Sequence, residues 1–247
     1  MMPRTLHRAS LARTALARAA LALVAAAALA GCFWQAHGRP ADPLVTSFRA
    51  LRPSVVLFTM QVPSENPKRR GLFDEAYGSG VVIESGDWGS RILTVEHVVH
   101  DARVIRLTID EKKKVPGRVT AGDPGVDLAL VETSEPNLAV ATLGSSAQLE
   151  AGTPIGVAGF PIPDAFDDES LGVATSVRAG RIASVRHDAL EVDAPIIPGE
   201  SGGPIFDPES GVVLGLAESR FDDERAIGFA IPIDDAKRFL ALHPRRS

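Results

Sequence analysis

SVVLFTMQV, Ser54 to Val62, is a short apolar run that begins directly after Pro53. A run of this length, rich in β-branched residues and closed by turn-forming residues, reads as a buried strand. The pattern then repeats along the chain. YGSGVVIE (77–84), RILTV (91–95), RVIRLTI (103–109), VPGRVTA (115–121) and DLALVET (127–133) follow it. A second series comprises PIGVAGF (154–160), GVATSVRAGRIASVR (172–186), ALEVDA (189–194), PIFD (204–207), GVVLGLAES (211–219) and AIGFAIP (226–232). Strands at such regular spacing, with almost no helix between them, indicate an all-β barrel or sandwich. This many strands exceed one small barrel, so two similar halves are expected, the first over about 54–134 and the second over about 146–232. The break falls near SEPNLAVATLGSS (134–146).

Upstream of the first strand, Asp42 and Pro43 have the form of an N-cap followed by proline at the first helical position. Leu44, Val45, Phe48 and Leu51 recur at helical spacing, so a short amphipathic helix is expected before Pro53. At the other end, IDDAKRFLALH predicts a helix over about 234–242, capped by Asp234 or Asp235, with Phe239 and Leu240 turned inward. Longer irregular pieces cover 62–76, 160–171 and 219–226, and loops of that length in a compact β protein are commonly functional.

The first 31 residues are a separate object. Arg4, Arg8, Arg13 and Arg18 precede AALALVAAAALAG, and no acidic residue occurs before Asp42. That is the order of a secretory signal. The apolar stretch from Ala19 to Trp34, 16 residues, is short for a spanning helix. LAGC, Leu29 to Cys32, resembles the lipobox of bacterial lipoproteins, with Cys32 as the lipid attachment site; a plain cleavable signal is the alternative. Cys32 is the single cysteine, so no intrachain disulfide can form. Residues 32–42 read as a tether and 43–247 as the folded domain. Loss of residues 1–31 would remove four of the 26 Lys and Arg and none of the 31 Asp and Glu, moving the formal charge from −5 to −9. So acidic a chain argues against nucleic-acid binding.

PIIPGESGGPIF, Pro195 to Phe206, places a dense turn with one hydroxyl between strand-like flanks. It reads either as a surface turn or as a nucleophile, Ser201, with glycines that bring backbone N–H groups close to a reacting atom. A serine nucleophile needs a base, usually His, oriented by a carboxylate. Of the six histidines, His97 directly follows a buried-type strand, where a side chain can project from a rigid element, while His100 suits a helix end or the surface. Asp127 heads an apolar strand, where a carboxylate must be capped or paired because burying it alone is costly. It serves either as a turn residue or as the partner of His97. A metal site on His97, His100 and Asp101 would lack further ligands, and nothing in the chain calls for a cofactor.

Taken in the order His97, Asp127, Ser201, these motifs resemble those of trypsin-like serine peptidases, most closely the bacterial HtrA/Deg group. ILTVEHVV, DLALVE and PGESGGPIF carry the likeness, with echoes in GSGVVI (78–83), AGRIASV (179–185) and GFAIP (228–232), over about residues 43–240. The resemblance implies two packed antiparallel β-barrels of the chymotrypsin kind with short terminal helices. It implies a catalytic triad of His97, Asp127 and Ser201, and an oxyanion hole formed by the N–H groups of Gly199 and Ser201. It also implies a primary pocket lined by Ile196, Ile197, Pro198, Leu216, Ala217, Glu218 and Ile227. No Asp falls at the expected base of that pocket, so a small or medium aliphatic side chain is the expected preference.

Two positions depart from the family pattern. Glu96 stands before His97 where relatives carry a small residue, and strand alternation would turn it away from the imidazole. Glu200 stands before Ser201 where relatives carry Asn or Asp; in digestive relatives that Asp pairs with a newly cut N-terminus, a device an acylated N-terminus cannot use. With so little chain after Pro232, no PDZ module is expected. The expected function is a lipid-anchored serine endopeptidase of the bacterial cell envelope, facing the periplasm or exterior. It would act on polypeptides and be held to the membrane through its N-terminal lipid, with homo-oligomerisation left open. The alternative is a catalytically silent protease-fold module that binds or holds unfolded chains.

Overall fold

The computed structural model describes residues 41–218 and 227–245. The expected signal, Cys32, most of the tether and the irregular piece 219–226 lie outside the described residues. Helix α1 (Pro43–Leu51) starts as its sequence requires: the Asp42 carboxylate accepts the Leu44 N–H at 2.9 Å. Leu51 is buried, but Val45 is exposed, and Ser47 takes the buried place instead. The Ser47 hydroxyl reaches the carbonyls of Leu44 and Pro208, at 3.1 and 2.9 Å, so a polar group is satisfied where an apolar one was expected.

The first barrel is built from β1 (Val55–Pro63), β2 (Phe73–Gly86), β3 (Gly89–Thr94), β4 (Val104–Ile109), β5 (Lys113–Asp123) and β6 (Leu128–Thr133). One helical turn, α2 (Glu96–Val99), follows β3. The second barrel contains β7 (Pro154–Gly159), β8 (Ser176–Val185), β9 (Leu190–Val192), β10 (Pro204–Phe206), β11 (Val213–Glu218) and β12 (Gly228–Pro232), with helix α3 (Pro163–Asp168) between β7 and β8. Around the first ring the order is β1-β2-β3-β6-β5-β4, and around the second it is β7-β8-β9-β12-β11-β10. The two rings share one antiparallel connectivity, as two similar halves demand.

Part of what reads as irregular is ordered. Phe73 to Ala76 continue β2 in register with Met60 to Pro63 of β1, lengthening that hairpin, and 163–168 form α3. Turn-rich sequence hides the strand extension, because its ladder partners in β1 lie outside any local window.

Phe58, Met60, Ile92, Leu93, Leu107, Leu128 and Leu130 fill the first barrel without measurable solvent contact beyond 1%. The same apolar cluster runs on through Phe160, Phe206 and Leu216 of the second half to Ile233, Ala236 and Phe239 of helix α4 (Ile233–Leu242). A separate cluster, including Ile155, Ile182, Leu190 and Ile205, fills the second barrel. Neither Asp234 nor Asp235 caps α4, which follows Pro232 with no side-chain cap. Asp234 instead accepts hydrogen bonds from the Ser145 hydroxyl and the Ser146 N–H, both at 2.9 Å, and Asp235 pairs with Arg238. The helix therefore clasps the connector between the barrels.

Candidate active site

His97 stands where the wholly buried strand β3 gives way to α2, whose Val98 and Val99 are sunk in the core. Pairing of β3 with β6 sets Thr94 opposite Ala129, which brings the residue before β6, Asp127, against the start of α2. Asp127 has φ 52°, a left-handed conformation that Asp tolerates better than most residues. It grips the turn in three ways. Its Oδ1 accepts the His97 backbone N–H at 2.9 Å, its Oδ2 faces His97 Nδ1 at 2.7 Å, and its carbonyl accepts the Glu96 N–H at 3.1 Å. Nδ1 thus bears the proton and Nε2 is left as the basic nitrogen. Partial burial disfavours the imidazolium, yet the Asp127 hydrogen bond and charge, with the charges of Glu218 and Glu96, outweigh it and raise the His97 pKa above 6.5.

Glu96 turns its carboxylate to His100 Nδ1, at 2.7 Å. That hydrogen bond and the charges of Glu96 and Asp101 raise the pKa of His100, an exposed residue that ends α2. The extra acid thus bonds to His100 and not to His97.

The turn bearing Ser201 is shaped by backbone that only glycine accommodates. Gly199 has φ +94°, and a Cβ there would lie 2.3 Å from the Phe160 carbonyl; at Gly202, φ is +85° and a Cβ would lie 2.2 Å from the Ser79 carbonyl. Ser79, on β2 of the first barrel and fully buried, joins the halves. Its N–H donates to the Ser201 carbonyl at 2.8 Å, its hydroxyl donates to the Gly199 carbonyl at 2.7 Å, and the same oxygen accepts the Phe160 N–H at 3.0 Å. The sequence marks Ser79 only as part of the GSGVVI motif, because the Gly199 carbonyl and Phe160 N–H that its hydroxyl joins lie 120 and 81 positions away.

Ser201 and His97 line one cavity of about 850 Å³ with Pro198, Gly199, Tyr77 and Met60. Among the described residues, no acceptor takes the N–H of Gly199 or Ser201, and no hydrogen bond occupies the Ser201 hydroxyl. Burial, then the hydrogen bond and charge of Glu75, push the Tyr77 pKa to about 12, so its phenol stays neutral in the cavity. Of the seven residues expected to form a primary pocket, Pro198 borders this cavity. Ile196 and Ala217 pack in the second-barrel cluster and Leu216 in the first. Glu218 is buried at the end of β11, Ile197 is half-buried, and Ile227 is exposed.

The family of trypsin-like peptidase domains matches residues 78–216, a span that holds His97, Asp127, Gly199 and Ser201. The chain belongs to that family. As a trypsin-like peptidase domain it is homologous to the HtrA/DegP serine proteases. A Synechocystis protein named as the serine protease HhoA is 36% identical over 180 residues, covering 69% of this chain and 43% of that protein. A Pseudomonas putida protein named as a DegP-like periplasmic serine endoprotease is 30% identical over 166 residues, covering 66% of this chain and 34% of its own length. The HtrA-type protease AlgW, solved with a tripeptide, superposes with a TM-score of 0.66 over 80% of this chain and 62% of that one, at 24% identity. The trypsin-like domain thus spans less than half the length of these curated relatives.

Proposed function

We propose that this trypsin-like domain is a serine endopeptidase that works outside the cytoplasm, anchored by a lipid on Cys32. Ser201 Oγ attacks a peptide carbonyl while His97 Nε2 takes its proton, and the Asp127 carboxylate steadies the tautomer and the imidazolium that forms. The N–H groups of Gly199 and Ser201 receive the oxyanion. Collapse of the tetrahedral species passes the proton from His97 to the leaving amine and leaves an acyl-enzyme, which water then hydrolyses. The observation that carries this reading is the double grip of Asp127 on His97, at 2.7 and 2.9 Å, beside a cavity that His97 shares with Ser201 and Gly199, whose N–H groups have no acceptor among the described residues. Among the described residues no hydrogen bond joins Ser201 to His97; contacts of this kind tighten in the Michaelis complex.

The anchor rests on the LAGC motif, and the location on that motif together with the periplasmic naming of the Pseudomonas relative. The preference for a small or medium aliphatic side chain before the scissile bond rests on the trypsin-like resemblance; of the seven residues it assigns to the pocket, Pro198 borders the cavity. A fluorophosphonate probe tests the reading. Wild type labels covalently and Ser201→Ala does not; a wild type that binds unfolded chains but resists the probe is a binding module instead.

A further inference from the structure

Glu200 is the most deeply placed acid among the described residues, 1% exposed and adjacent in sequence to Ser201. A carboxylate so placed needs a cation and hydrogen bonds to stay charged. Both come from within the second barrel. Arg178, on β8, pairs through Nη2 with Glu200 Oε2, and the same nitrogen donates to the Pro195 carbonyl at 2.7 Å. Glu200 Oε2 also accepts the Ile197 N–H at 2.9 Å, while the Glu200 N–H donates to the Ile197 carbonyl at 2.9 Å. One guanidinium therefore ties both ends of the turn, Pro195 and Glu200, beside Gly199 and Ser201.

We infer that Arg178 is a positioning residue. It is an internal counter-ion that, through Glu200, sets the Ile197–Ser201 turn in its oxyanion-binding shape as part of folding, with no cation supplied by a cut chain end or a partner. The inference deepens the peptidase reading and rests on it for its catalytic consequence. Glu in place of the family's Asn or Asp fits this role: its longer side chain reaches back to Ile197 and across to β8. Without Arg178 the carboxylate is left buried and uncompensated, and its escape toward water pulls Ile197 and Gly199 with it.

The test uses the full chain and four proteins: wild type, Arg178→Lys, Arg178→Met, and Arg178→Met combined with Glu200→Gln. Two quantities are read, the exchange rate of the Ile197 and Glu200 amide hydrogens and the rate at which a fluorophosphonate labels Ser201. Arg178→Met should speed exchange at those amides and slow labelling by about 10²-fold, the scale of one lost oxyanion donor. For a peptide substrate the loss should fall in kcat while KM holds. Arg178→Lys, which keeps the charge, should retain most of the rate. The double variant removes the buried charge and keeps an acceptor for the Ile197 N–H, so it should recover protection and most of the labelling. Wild-type exchange and labelling in Arg178→Met would overturn the inference. So would a double variant no better than Arg178→Met, with both losing thermal stability alike. Should wild type itself resist the probe, the peptidase reading is lost, and the exchange rates alone then decide whether Arg178 holds the turn.

Discussion

His97 is held by main chain and side chain to the same carboxylate, and this determines its behaviour with pH. Its folded pKa lies above 6.5 because Asp127, with Glu218 and Glu96, more than offsets partial burial. The charged imidazole therefore contributes stability that is full below the unfolded value of about 6.5 and fades as pH rises through the higher folded one. In the proposed mechanism catalysis has the opposite sign, because there only neutral His97 takes the Ser201 proton. Labelling of wild type should rise with pH, with a midpoint above 6.5. Asp127→Asn should lower turnover by about 10⁴-fold and shift the midpoint of the residual rate to lower pH; an unmoved midpoint would detach Asp127 from His97. Ser201, Asp127 and His97 stand out in the sequence as candidates through the order of the motifs that carry them, although Ser201 also reads as part of a surface turn and Asp127 as a turn residue. Arg178 and Ser79 cannot be picked out that way. Their partners, Glu200 and Gly199, lie 22 and 120 positions away, and an arginine or serine in a strand is unremarkable until the barrel closes around it.

Among the elements, β2 links the two halves of the molecule. Ser79→Ala strips the Gly199 carbonyl of its donor and the Phe160 N–H of its acceptor in a buried seam. Groups orphaned in this way cost about 1–3 kcal/mol each, so for the two of them chemical denaturation should show a loss of about 2–6 kcal/mol, and labelling of Ser201 should slow. A variant with wild-type stability and rate would mean that water replaces the hydroxyl. At α1, Asp42→Ala removes the bond to the Leu44 N–H and should cost about 1 kcal/mol in the same measurement. The α1 cap was predictable because capping is local: an acid, then proline, then apolar spacing. The α4 start was not. Asp234 has the right composition for a cap, but Ser145 and Ser146, 88–89 residues earlier, compete for its carboxylate and win.

For the molecule as a whole, strand spacing indicated two similar halves, and the shared ring order of the barrels is their common plan. What spacing could not supply is how deeply the halves merge. The first apolar cluster crosses the seam to Phe160, Phe206 and Phe239, so the histidine and serine turns are backed by one continuous core. Mass spectrometry of the mature N-terminus should find a lipid-modified Cys32; an unmodified terminus at another residue would mean a plain signal. The central claim is that three side chains from two barrels act as one unit. It is tested most directly by peptide-bond hydrolysis in Ser201→Ala, His97→Ala and the double variant. Groups that work as a unit are grossly non-additive, so all three should fall to the same residual rate, the double no lower than either single. Losses that multiply in the double variant, or a His97→Ala protein that still cleaves at the wild-type rate, would contradict the account.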